Sequence, residues 1–413
     1  MRNETKILKV IHVIESLGSG GAERLLYTNL KNLDPEKFQN TVIMVYPRGT
    51  HWLEPIQQLG VTTYCLDCNS YRNLPAGIKR LQALLRQEKP DLIHTHLWAA
   101  NVIGRLAARR LGIPVISSIH NPDYDAEAWD TGSTVSRFKR GFFRAIDSWT
   151  ARRACNRMIA VSEYVKARAN LHLSFPTERI DLLYNPIDIA KFQAPPTRKR
   201  EDLLNECGIP KESILLLNIS RISRQKGLLY AIRALPKIRE QFPTAHLVSI
   251  GAQNDSGYLG LIKQESIAWG VSDAVHLLGV RSDVSDWLHY CDLFVFPSLY
   301  EGLGIALIEA MAVGCVCVAS QMPPIPEIIE HQVDGWLVPP KDAQAIADAV
   351  CLLLSDPVRR QTLKEAAVKS VSHRFHPVPA AETLARIYEQ VINQTQAKND
   401  DPRVEAVAMN HQK

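Results

Sequence analysis

The chain has 413 residues, of which 46% are hydrophobic and 22% charged, and a formal net charge of +5. That length exceeds one ordinary core and predicts two domains of typical size in a soluble globular protein. The modest charge argues against nucleic acid as a partner, and the absence of any apolar run of about 18 residues argues against a transmembrane helix.

The N-terminus, MRNETKILKVIHVI, starts polar and passes straight into a strand, without a cleavable signal pattern. The eight cysteines are scattered, and Cys291, Cys315 and Cys317 stand in apolar runs where they read as small core residues. Cys65 and Cys68 form a lone C-x-x-C with no second pair or histidine cluster to complete a zinc site. These features point to the cytoplasm, with peripheral attachment to the inner face of the plasma membrane left open by the basic segment described below.

Residues 7–14 are a β-branched run and predict the first strand. Gly18-Ser19-Gly20-Gly21 follows, and then Ala22, Leu26, Leu30 and Leu33 at helical spacing. Strand, glycine loop and helix form a phosphate-loop arrangement. A dinucleotide fingerprint would need a third glycine where Glu23 stands, so that reading fails. Further strands are predicted over 41–46, 61–66, 92–95, 115–119, 158–161 and 180–183, with helices over 52–59, 74–87, 99–111 and 150–156. Such alternation predicts a parallel, doubly wound sheet whose ligands lie outside the carboxyl ends of the strands. His94 and His96 close the fourth strand and His120 the fifth. A His-x-His pair can ligate metal, but it lacks a third ligand here, and a structural or acceptor-lining role is the better reading.

Between 135 and 157, Arg137, Lys139, Arg140, Arg144, Arg152, Arg153 and Arg157 face a single acid, Asp147. Phe138, Phe142, Phe143, Ile146 and Trp149 are interleaved with them. Two readings stay open: an interfacial helix that holds anionic lipid headgroups, or a solvated helix whose aromatics pack on the sheet.

Residues 193–200 have the proline-rich, charged composition of a linker, and an apolar run over 213–219 predicts a strand buried on both faces. Directly after it, Arg221, Arg224 and Lys226 precede Gly227. Long cations at a strand end can neutralise a diphosphate and the charge that grows on it as a leaving group. Strands follow over 246–250, 275–278 and 292–296, the last stopped by Pro297. Gly302, Leu303 and Gly304 then lead into a helix whose first N–H groups have no internal partner and can seat a phosphate. Glu301 stands before that start and Glu309 inside the helix, rotated by roughly 80° on an ideal helix, so the two carboxylates would touch different parts of an elongated ligand. A strand over 316–319, a helix over 343–354 and a final helix over 377–392 complete the chain, with a polar, disordered tail expected from 395 to 413.

The stretch from Glu301 to Ala312, EGLGIALIEAMA, resembles the donor-site signature of the retaining glycosyltransferases of family 4. Gly20-Gly21-Ala22-Glu23, the Ser118-Ile119-His120-Asn121 segment, Asn185-Pro186-Ile187-Asp188, the element from Arg221 to Gly227 and the ending from Asp334 to Pro340 resemble further motifs of that family. The resemblance implies the GT-B fold: two Rossmann-like, doubly wound α/β domains facing a central cleft. Residues 1–190 would hold the acceptor and 191–376 the donor, with a helix over 377–394 crossing back to the first domain. It implies a retaining, metal-independent hexosyltransferase that needs no cofactor beyond a nucleotide-diphosphate sugar, read as a UDP-sugar. Arg221 and Lys226 would bind the diphosphate, Glu309 the ribose, and Glu301 and His120 the sugar. Gly20, Gly21 and the amides from Gly302 to Gly304 would approach the donor. The acceptor would be a glycan or polyprenyl-linked oligosaccharide of a bacterial surface polysaccharide. The chain departs from the family at Gly251-Ala252-Gln253, and at Pro323-Pro324, where two prolines remove two backbone donors. The competing readings are a nucleotide-sugar epimerase of the same fold and a non-catalytic nucleotide-sugar-binding protein.

Overall fold

A computed structural model describes residues 6–125, 137–253 and 255–399. Residues 135 and 136 of the basic segment, and 400–413 of the tail, lie outside the described residues. The chain divides into two compact units, one ending at Pro186 and resuming at Pro377, the other running from Ile187 to His376 together with Asp125.

In the first unit seven strands form one sheet: β1 (Leu8–Ile14), β2 (Phe38–Met44), β3 (Thr62–Cys65), β4 (Leu92–His96), β5 (Val115–Ile119), β6 (Arg157–Ala160) and β7 (Ile180–Leu182). Their order is β3-β2-β1-β4-β5-β6-β7, and every pairing is parallel. Burial of the last five residues of β1 explains its largely apolar run, Val10-Ile11-His12-Val13-Ile14. β2 starts three residues before the position that its apolar run marks, because Phe38-Gln39-Asn40 pairs with Leu8-Lys9-Val10 despite its polar pattern. One face is covered by the helices Leu74–Glu88 and Trp98–Arg109, whose Leu81, Leu85, Ile103 and Ala107 pack on Ile11, Ile43 and Ile93. Elsewhere the C-terminal helix, Pro377–Asn399, lays Leu384, Ile387, Tyr388 and Val391 against Val10, Phe38, Leu92 and Ile116. That helix continues past residue 395, where disorder was expected; Gln394, Gln396, Ala397 and Lys398 are good helix formers.

The basic segment is a helix, as both of its readings have it, and the short helix predicted over 150–156 is the end of that one helix, Arg137–Ala154. It is tied down by a buried ion pair between Arg105 and Asp147 (2.5 Å), and Arg105 also donates to Ser117. Its aromatics divide: Phe143 packs on Trp98 and Tyr71, whereas Phe138 and Phe142 are 85% and 58% exposed.

The second unit has a six-stranded parallel sheet of β8 (Ile214–Ile219), β9 (Ala245–Ile250), β10 (Val275–Leu277), β11 (Leu293–Phe296), β12 (Cys317–Ser320) and β13 (Trp336–Val338), ordered β10-β9-β8-β11-β12-β13. Its core joins Leu216, Leu247, Val295 and Val318 to Ile232 and Leu235 of the helix Leu228–Gln241, and to Ile346 and Val350 of the helix Ala343–Ser355. Among the described residues, no helix is long and apolar enough to cross a membrane. Both sheets reverse their winding direction once, between β1 and β4 and between β8 and β11. The loops beyond those strand pairs are where a doubly wound sheet opens a crevice for ligands.

Candidate functional site

At the switch point of the second unit, the loops after β8 and β11 are bound to each other. Leu299 N–H donates to Gln225 O (2.7 Å) and Gln225 Nε2 to Tyr300 O (3.0 Å). Gly227 takes a left-handed conformation (φ +64°), and a Cβ there would lie 2.0 Å from Pro297 O. Only glycine lets the two loops close so tightly. This contact brings Lys226 Nζ to 2.6 Å from Glu301 Oε1, and Ser298 Oγ donates to the same oxygen (2.8 Å). Both charged side chains are largely buried. Arg221 is exposed at the mouth of the same loop and, among the described residues, makes no ion pair. Arg224 instead lies over the Tyr258 ring, 5.6 Å from its centroid, away from this cluster.

Gly304 (φ +111°) starts the helix Ile305–Val313, and a Cβ there would crowd Ile325 and Ile328. Those two isoleucines belong to the segment that follows Pro323-Pro324, so the proline-bearing loop packs against the helix start. Gly302 and Leu303 lie in the connecting turn, and Glu309 is buried on the helix itself.

In the first unit, Gly20 precedes the helix Gly21–Asn32, and Glu23 folds back so closely that a Cβ on Gly20 would meet its carboxylate at 2.4 Å. Across the switch point, the Glu15 carboxylate accepts from Ala99 N–H (2.8 Å) and so caps the helix Trp98–Arg109. Burial raises the Glu15 pKa above the usual range. His96 ends β4 and His120 follows β5, and their rings meet with His96 Nδ1 3.3 Å from His120 Nε2. Burial lowers the His120 pKa to about 4 and drives that of His96 well down, so both are neutral at physiological pH. His94 is held by Tyr388 Oη (2.6 Å) and Ser118 Oγ (2.8 Å), and His12 Nε2 lies 3.1 Å from Asn40 Oδ1. His12, His94 and His96 have ring nitrogens within 4.8 Å of one another, but His94 already spends both of its nitrogens on hydrogen bonds. The triad is thus a hydrogen-bonded stack that ties the C-terminal helix to the sheet.

Beside His120 a cavity opens, lined among others by Trp98, Asp123, Tyr124, Arg168 and His172. Burial, then the charges of Asp147 and Glu15, push the Asp123 carboxyl up to about 7. Tyr124 Oη donates to Asp147 (2.8 Å), which links this cavity to the basic helix. Sequence reasoning missed Glu15, Asp123 and Tyr124. The strand-end position of Glu15, an acid just after an apolar run, was the only signal available for it.

Two family models cover most of the chain: "Glycosyltransferase Family 4" over residues 19–191 and "Glycosyl transferases group 1" over 199–370. The chain is 30% identical to an uncharacterised glycosyltransferase of Methanocaldococcus jannaschii, over 74% of this chain and 77% of that protein. It is 25% identical to the Escherichia coli UDP-Gal:alpha-D-GlcNAc-diphosphoundecaprenol alpha-1,3-galactosyltransferase, over 95% of this chain and 100% of the relative. Among solved structures it resembles Anabaena HepE in complex with UDP and glucose, with a TM-score of 0.80 and 21% identity over 93% of this chain and 100% of HepE.

Proposed function

The chain belongs to the family 4 glycosyltransferases of the GT-B fold, and on that footing we propose that it moves a sugar from a UDP-sugar to a hydroxyl of a glycan or polyprenyl-linked oligosaccharide, with retention of anomeric configuration and without a metal ion. The observation that carries this reading is the Lys226–Glu301 pair, locked at a switch point beside a helix start by the Gly227–Pro297 contact. The second unit holds the donor and the first the acceptor.

Arg221 and Lys226 take the diphosphate, and the N–H groups from Gly302 to the start of the helix add fixed dipoles where leaving-group charge develops. Once Lys226 turns to the diphosphate, Glu301 is released to accept hydrogen bonds from the sugar. Glu309 holds the ribose. Gly20 and Gly21 bring backbone close to the sugar, and His120 orients it. The acceptor hydroxyl approaches anomeric carbon C1 on the leaving-group face. The C1–O bond to the β-phosphate breaks, a C1–O bond to the acceptor forms, and the hydroxyl proton passes to a phosphate oxygen. The UDP assignment draws support from the ligand of HepE and the donor named for the Escherichia coli relative. The lipid-linked acceptor draws support from the same relative and from the exposed Phe138 and Phe142 beside Lys139, Arg140 and Arg144. That face suits peripheral contact with an anionic membrane, and it is the basis for placing the enzyme at the inner face of the plasma membrane.

The test is transfer to a GlcNAc-diphosphopolyprenol in the presence of EDTA, with the product anomer read by proton NMR. Retention at full rate is expected; an inverted product or loss of turnover in EDTA sinks the mechanism. For the membrane contact, reversing Arg140 and Arg144 to Glu should lower co-sedimentation with phosphatidylglycerol vesicles. Unchanged co-sedimentation would leave the helix as packing alone.

A further inference from the structure

We infer that His96 is a positioning residue for His120, and that one hydrogen bond between their rings decides whether His120 offers the donor sugar a lone pair or an N–H. The inference rests on the reading that His120 meets that sugar. Its structural basis is local to the first unit. β4 and β5 are neighbours with His96 beside Ser118, which puts His120, two residues on, within reach of the His96 ring. His96 Nδ1 and His120 Nε2 are 3.3 Å apart, and the ring centroids are 5.5 Å apart.

Each imidazole is neutral and therefore carries one N–H and one bare nitrogen. Across the shared contact one ring must donate and the other accept. If His96 carries its proton on Nδ1, His120 Nε2 is bare and the His120 proton sits on Nδ1. If His96 Nδ1 is bare, His120 donates from Nε2 and keeps a lone pair on Nδ1. The two residues must therefore share a tautomer, both Nδ1–H or both Nε2–H. The outer atoms, His120 Nδ1 and His96 Nε2, are buried and have no hydrogen-bond partner among the described residues. A buried orphan of this kind needs a partner, and for His120 a sugar hydroxyl supplies it. His96 cannot turn away from the contact. Its ring lies 4.2 Å from His94 and stacks 6.0 Å from His12, and His94 is itself pinned by Tyr388 and Ser118. The stack beneath the C-terminal helix thus acts as the support that fixes what His120 presents.

The test uses the full chain with selectively 15N-labelled histidine. Long-range proton–nitrogen correlations at pH 7.5 read each tautomer, with His96→Asn and His120→Asn supplying assignments. His96 and His120 are expected to share one tautomer; a mixed pair overturns the inference, whatever the activity of the enzyme. Kinetics supply the second arm. His96→Leu removes the partner, whereas Asn places an amide near the position of Nδ1 that can donate or accept. The Leu variant should lose about tenfold to a hundredfold in kcat, with donor KM and UDP affinity held within about threefold. The Asn variant should stay within about threefold of wild type in kcat. A Leu variant with wild-type kcat, or an Asn variant as slow as Leu, would reduce His96 to packing. Failure of the wild type to bind UDP would instead count against the functional reading, and would leave the tautomer result standing by itself.

Discussion

Replacing Gly227 by alanine tests the contact on which the proposed donor site depends. Two terms add. An L-residue in the left-handed region costs about 1–2 kcal/mol, and Gly227 sits at φ +64°. The new Cβ would also lie 2.0 Å from Pro297 O and 3.0 Å from the carbonyl carbon, neither of which is a flexible side-chain end. One of the two loops must shift, at about 1–3 kcal/mol by comparison with overpacked cores. The sum is about 2–5 kcal/mol. Gly208 is the matched control: its φ is +67°, but a Cβ there would meet no atom within 4 Å, so Gly208→Ala carries the backbone term alone. Urea unfolding of both variants should show Gly227→Ala less stable than Gly208→Ala by about 1–3 kcal/mol. Calorimetry should show UDP binding weakened at least about tenfold in Gly227→Ala and unchanged in Gly208→Ala, because a shifted loop carries Lys226 away from its place. Equal stability and equal UDP affinity in the two variants would refute the reasoning.

Lys226→Ala leaves Glu301 buried without its cation and should destabilise the protein by about 3 kcal/mol in urea unfolding. The Lys226→Met/Glu301→Gln double variant should recover most of that loss while transfer stays absent; recovered transfer would remove both residues from the mechanism. Tyr388→Phe deletes the 2.6 Å hydrogen bond to His94 and should cost about 1–2 kcal/mol by the same assay. The buried histidines set a pH dependence. Their folded pKa values lie below the usual one, at about 4 for His12 and His120, so protons bind the unfolded chain first. Stability is therefore full above about pH 6.5 and falls toward pH 4, opposed in part by Asp123, whose raised carboxyl pKa works the other way. Denaturant unfolding at pH 7 and pH 5 should differ by on the order of 2 kcal/mol or more in favour of pH 7; equal or greater stability at pH 5 would contradict the neutral stack.

The strands were legible because parallel strands buried on both faces are written as apolar runs, as in Leu215-Leu216-Leu217 of β8. The proposed donor site was legible as a cluster for a related reason: Lys226 and Glu301, which the structure brings together, stand in two short loops next to those runs, each marked by a glycine at positive φ. What failed to show was non-local. Tyr388 stands 294 positions from His94, and Glu15 caps a helix that begins more than 80 residues later. No local pattern in the sequence pairs either residue with its distant partner. His12 lay within the first predicted strand with nothing to single it out, and it is the register of β1 and β4 that sets it beside His94. The basic helix was legible as a helix, but what holds it was not, because Arg137-Phe138-Lys139-Arg140 has no apolar stripe of its own. Its anchor is Asp147, reached by Arg105 from another helix.

The central claim, that the second unit binds a nucleotide sugar through Glu309 and the Lys226–Glu301 loops, is tested most directly by donor binding and hydrolysis across a panel of nucleotide sugars, on wild type and Glu309→Ala. The account predicts saturable binding of one UDP-sugar by the wild type and at least about tenfold weaker binding by the variant, from loss of charge-assisted hydrogen bonds to the ribose. Binding that is undiminished in Glu309→Ala, or no binding of any donor by the wild type, would contradict it.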